Sequence, residues 1–168
     1  VKAQRKWLSG FTGALLAFLF LLCPLEAALA DGWSLKDRGG VHYRLSELKG
    51  KWVLVNFWAP WCPVCLQEMP ELDALQKLHT DVLVIGVAIM YRKSQEVSDV
   101  LRTHSVFYPI VMGNEDIASD FGEMNAMPIS FLYDPSGELV GRHDGPLTQK
   151  DVERVMAQKP GSSQLFSR

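Results

Sequence analysis

The order of apolar runs along this chain predicts an α/β/α sandwich on a mixed sheet, headed by a β-hairpin. Three features carry that prediction. Residues 51–58 and 82–89 are continuous apolar, β-branched runs, as central strands buried on both faces require. A leucine-rich stretch of helical length separates them. Near the end, residues 129–133 and 138–143 flank Asp134-Pro135-Ser136-Gly137, which sets proline and glycine where a tight turn between antiparallel strands takes them.

The elements follow in chain order. Residues 33–50 hold two short alternating segments around Asp37-Arg38-Gly39-Gly40, the pattern of a hairpin. In the strand at 51–58, Asn56 is the one polar interior position. Residues 63–79 read as a helix in which Leu66, Met69, Leu72, Leu75 and Leu78 recur, with Glu68, Glu71, Asp73 and Lys77 among them and a kink expected at Pro70. After the strand at 82–89, residues 94–103 form a second helix opened by a Ser94 cap. A short strand at 108–112 and a brief helix at 116–121 lead to the closing hairpin. Thr148 caps a last helix reaching about Gln158, and the polar tail from Pro160 is expected to fray.

The chain has 168 residues, 48% hydrophobic and 21% charged, enough for one domain with a real core once the first thirty residues are set aside. In those thirty, Lys2, Arg5 and Lys6 precede an uncharged apolar stretch over residues 7–25, and Ala28-Leu29-Ala30 follows. Basic, apolar, then small-x-small is the layout of a secretory signal peptide cleaved after Ala30. The alternative is an uncleaved membrane anchor, since the stretch approaches the roughly 20 residues that span a bilayer. Either reading exports residues 31–168, to the periplasm or to the outer face of the cytoplasmic membrane. Without residues 1–30 the charges fall from 17 basic and 19 acidic to 14 and 18, a net of −4. A mildly acidic domain without basic clusters argues against a nucleic-acid partner.

The exported part holds two cysteines, Cys62 and Cys65, between a buried strand and a helix. At a helix N-terminus unpaired N–H groups and the helix dipole favour a thiolate, the form that attacks disulfides. Cys62 is therefore the expected attacking thiol, and Cys65, one turn inward, the resolving one. A structural bridge would gain little from so small a loop. Half a zinc site would need two more ligands, and His42, His79, His104 and His143 are scattered without a second cysteine pair. The chemistry expected is thiol-disulfide exchange without a cofactor.

Phe57-Trp58-Ala59-Pro60-Trp61-Cys62-Pro63-Val64-Cys65, followed by Glu68-Met69-Pro70, resembles the TlpA/ResA-like branch of the thioredoxin superfamily. The resemblance covers residues 33–158 and extends to Gly50-Lys51 and Met127-Pro128. It implies a thioredoxin-like fold and an extracytoplasmic reductase of protein disulfides, in several members serving cytochrome c maturation, re-reduced by a membrane electron donor. It also implies a cis Pro128 facing the cysteines, beside which a substrate strand can pair. Trp61, Pro63, Val64, Met127 and Pro128 are the candidate substrate-binding residues, with Trp61 on an exposed rim and Trp58 either on that rim or in the core. Neither Pro63 nor Val64 can donate a side-chain hydrogen bond to the Cys62 thiolate.

The chain departs from the family pattern at Met127, at Asn56, where thioredoxins carry a buried aspartate, and at Leu83, where some relatives carry a glutamate. No buried acid is then expected beneath the cysteines, and Glu68 is expected in solvent with an ordinary pKa. A rival reading is a Cu(I)-binding module using Cys62, Cys65 and the thioether of Met127 or Met124. Methionine more commonly fills gaps in cores, and the copper chaperones of the superfamily have three residues between their cysteines and a histidine that this chain lacks.

Overall fold

The computed structural model describes residues 32–158. The expected export segment and the tail from Pro160 lie outside them. Among the described residues no helix is long and apolar enough to cross a membrane.

Strands β1 (Ser34–Lys36) and β2 (His42–Arg44) form the expected antiparallel hairpin. The main sheet holds β3 (Trp52–Trp58), β4 (Val82–Ala88), β5 (Ile110–Met112), β6 (Ile129–Tyr133) and β7 (Leu139–Asp144). Its order is β5-β4-β3-β6-β7. The β3–β4 and β4–β5 pairs are parallel, while β3–β6 and β6–β7 are antiparallel. All seven residues of β3 are buried, as the central position of an apolar run demands. The hairpin is tied to the β5 edge by the Asp37–Val111 bridge and by the Arg38 N–H donating to the Ile110 carbonyl at 2.9 Å.

Side chains alternate across β3 and so divide between two cores. Leu54 and Trp58 face the helices α1 (Pro63–Leu78), α2 (Ser94–Thr103) and α4 (Gln149–Met156). Val53, Val55 and Phe57 face the hairpin and the short α3 (Glu115–Ser119), in a cluster where Phe57 meets Phe121 and Phe131 at ring-centroid distances of 5.0 and 5.9 Å. Asn56 points to the helical side with Leu54 and Trp58. Gly86 in β4 lets Trp58, Tyr108 and Ile110 close over the sheet, because a Cβ there would lie 2.9 Å from the side chains of Ile110 and Tyr108.

Several local expectations shift. The cap of α2 is Lys93, with no side-chain bond, and Ser94 is already inside the helix. The brief helix starts earlier, at Glu115, because the Asn114 side chain accepts from the Ile117 N–H. Leu78 is exposed at the end of α1, since a strict spacing of three drifts off the apolar face of a 3.6-residue helix. Thr148 caps α4 as expected, and with Asp151 it forms a full capping box.

Candidate active site

The chain leaves the end of β3 at Trp58, turns through Ala59-Pro60-Trp61 and enters α1 with Cys62 as its N-cap and Pro63 at the first helical position. The Cys62 N–H donates to the Ala59 carbonyl at 3.1 Å, closing the turn. Its sulfur accepts from the Cys65 N–H at 3.2 Å, one of the helix-end donors that lack a partner within the helix. Cys62 and Cys65 are joined by a disulfide, their Cα atoms 5.3 Å apart. Cys62 is 6% exposed and Cys65 1%. Both residues are thus buried, Cys65 the more deeply, and the Cys62 sulfur sits at the positive end of the helix.

Around the pair, Trp61, Pro63 and Val64 are exposed. The Trp61 indole N–H donates to the Met90 carbonyl at 2.9 Å, while Trp58 is wholly buried and belongs to the core. Pairing of Phe57 with Ile129 places Met127-Pro128 at the end of the sheet from which the cysteine turn departs. The Met127–Pro128 peptide is cis, Pro128 is buried and Met127 is half-buried against both cores. Met124 packs in the cluster on the far side of the sheet. Among the described residues no group of three or more His, Cys, Asp or Glu side chains could hold a metal ion.

The structure overturns the expectation for Glu68. This side chain is 3% exposed, not in solvent, and it lies on the inward face of α1 with Cys65. Residues three apart share a helix face, and here that face is the buried one. Two donors from distant elements make the burial tolerable. The Asn56 side-chain amide donates to one carboxylate oxygen and the Leu147 backbone N–H to the other at 2.8 Å. Asn56 also donates to Ser130 Oγ at 3.0 Å, its cross-strand partner. All these donors are neutral, so no countercharge offsets the loss of water. Burial raises the Glu68 pKa to about 7, against the lowering effects of the Leu147 and Asn56 hydrogen bonds.

A buried carboxyl poised near neutrality, one turn from the inner cysteine, can take or give a proton there. The absence of acids at Asn56 and Leu83 did not empty the site; the acid arrives from the helix, and Asn56 holds it. Of the residues that sequence reasoning missed, Glu68 had a legible signal in its spacing from Cys65. Ser130, the Leu147 amide and Met90 had none.

The AhpC/TSA family profile matches residues 27–142. The chain is 34% identical over 135 residues to YneN, a thioredoxin-like protein of Bacillus subtilis, with 78% of each chain covered. It is 30% identical over 140 residues to ResA, a thiol-disulfide oxidoreductase of the same bacterium, covering 82% of this chain and 78% of ResA. A thiol:disulfide interchange protein of the thioredoxin family from Chlorobium tepidum TLS superposes with a TM-score of 0.66 at 27% identity, covering 82% of this chain and 95% of that one. With most of the domain matched and a bonded cysteine pair at the head of α1, the chain belongs to the AhpC/TSA family of thioredoxin-like proteins and is a thiol-disulfide oxidoreductase.

Proposed function

We propose that the chain is an extracytoplasmic reductase of protein disulfides in which Cys62 attacks, Cys65 resolves and Glu68 carries the proton. The observation that supports this most directly is the asymmetry of the pair: the Cys62 sulfur caps the helix terminus, while Cys65 is the more deeply buried, one turn from a carboxyl that titrates near neutrality.

In the first step the Cys62 thiolate attacks one sulfur of a client disulfide. That bond breaks, a Cys62–client bond forms, and the other client sulfur leaves as a thiolate that takes up a proton. Cys65 then passes its proton to the Glu68 carboxylate and attacks the Cys62 sulfur. The mixed disulfide breaks, the Cys62–Cys65 bond forms, and the second client thiolate departs. Two electrons reach the client, and a membrane electron donor restores the dithiol. Trp61, Pro63, Val64, Met127 and Pro128 form the surface on which the client lies. The layout of residues 1–30 supports export, and the family resemblance makes a protein of cytochrome c maturation the proposed client.

The test is a Cys65→Ser variant produced in the native compartment. A client protein bound through Cys62 and released by reductant supports the reading. Brief iodoacetamide labelling of the reduced wild type should modify Cys62, and preferential labelling of Cys65 would reverse the assigned roles.

A further inference from the structure

Beyond the cysteine turn, the loop that follows β4 has features that the exchange chemistry itself does not use. Met90 has φ of 56°, the left-handed region that a long side chain enters at a cost. It is held there from the active-site side. The Ile89 N–H donates to the Trp58 carbonyl at 2.9 Å, and the Met90 carbonyl accepts the Trp61 indole N–H at the same distance. The consequence is that Met90, 62% exposed, stands beside Trp61, 58% exposed. Together with Arg92 and Glu96 the two line an open cavity of about 490 Å³.

The charges on that lip are unbalanced. Arg92 and Lys93 are both exposed, and among the described residues neither side chain has an ion-pair partner. Glu96, the one acid lining the cavity, accepts from the Arg92 backbone N–H at 3.3 Å. Arg92, which lines the cavity, and its exposed neighbour Lys93 thus bring two cations without an ion-pair partner among the described residues to the edge of an apolar shelf, in a domain whose net charge is negative. Trp61 is bonded directly to the residue that attacks, so this cavity adjoins the site at which a client is held.

We infer that the Met90–Lys93 loop is a specificity-determining lip: it receives the segment flanking the client's reacting cysteine, with an apolar side chain on Met90 and Trp61 and an acidic side chain at Arg92 and Lys93. This rests on the reading of the chain as a reductase of protein disulfides and names the client's local chemistry. Exposed charge pairs of this kind steer encounter and discriminate partners more than they add affinity.

The probes are synthetic peptide disulfides identical except near one cysteine, carrying leucine or serine beside it and aspartate or lysine after that. Reduced wild-type protein should reduce the aspartate peptide about fivefold faster than the lysine peptide at low salt, with the ratio falling toward one in about 0.5 M salt. Arg92→Glu combined with Lys93→Glu should invert the ratio. Met90→Gly, which suits the left-handed backbone, should lower the preference for leucine over serine. Because each variant is read as a ratio between peptides, a general loss of activity leaves the readout intact. Reduction of all peptides at equal rates would overturn the lip while sparing the reductase reading. Failure to reduce any of them would overturn both.

Discussion

Helix α1 buries two acids five residues apart, and they are held in opposite ways. Asp73, near the middle of the helix, accepts the Phe107 N–H at 2.6 Å and meets the Lys77 ammonium at 2.6 Å. That ammonium lies 4.0 Å from the Phe107 ring centroid, so charge, amide and ring close a small loop against the helix. Glu68, near the cysteines, is met among the described residues by the neutral donors of Asn56 and Leu147. A buried carboxylate with a countercharge and a backbone amide serves as a fastening between elements. Buried among neutral donors, the same group keeps an open choice between its two protonation states, which is what proton transfer needs. The reactive end of α1 is thus the end where the fold withholds a cation.

The sharpest way to break this contrast is kinetic. Glu68→Gln should slow resolution of a preformed Cys62 mixed disulfide about hundredfold at pH 7 and remove an inflection near that pH, within the range of general-base catalysis. Asp73→Asn should leave the rate within about threefold. Stopped-flow release of a thiol leaving group measures both, and an unchanged rate in Glu68→Gln would remove the acid from the mechanism.

Next in size is the pH dependence of stability. The carboxyl titrates at about 7 in the folded protein against 4.5 for a solvated glutamate, so the folded state holds this proton more tightly than the unfolded chain does. The contribution of Glu68 is then full below about 4.5 and is lost as the pH rises through 7. Between pH 5 and 8 the oxidised wild type should lose about 2 kcal/mol from this group, and Glu68→Gln should not. Denaturant titrations of the two proteins at both pH values give the difference directly, whatever constant offset the amide introduces.

Smaller effects belong to the other acid. Asp73→Ala strands the Phe107 N–H and should cost about 1.5 kcal/mol in a denaturant titration. Lys77→Gln should cost only about 0.5 kcal/mol, because that lysine is half-exposed and its pairing is screened by water. If Lys77→Gln instead proved as damaging as Asp73→Ala, the ammonium rather than the amide would be the fastening.

The chain reveals its architecture and its cysteines through local patterns. Continuous apolar runs mark β3 and β4, the Asp134-Pro135-Ser136-Gly137 turn marks the β6–β7 hairpin, and Cys62 and Cys65 are placed by a strand exit followed by a proline-opened helix. These readings depend on spacing within one or two turns of chain, which is where helix and strand periodicity and turn chemistry operate. The environment of Glu68 depends on a strand amide 12 positions away and a backbone N–H 79 positions away. The posture of Met90 likewise depends on an indole 29 residues earlier. A charged side chain on a helix looks the same in sequence whether it meets water or two distant donors. Its desolvation, and with it its pKa, was decided only when the fold brought those donors together.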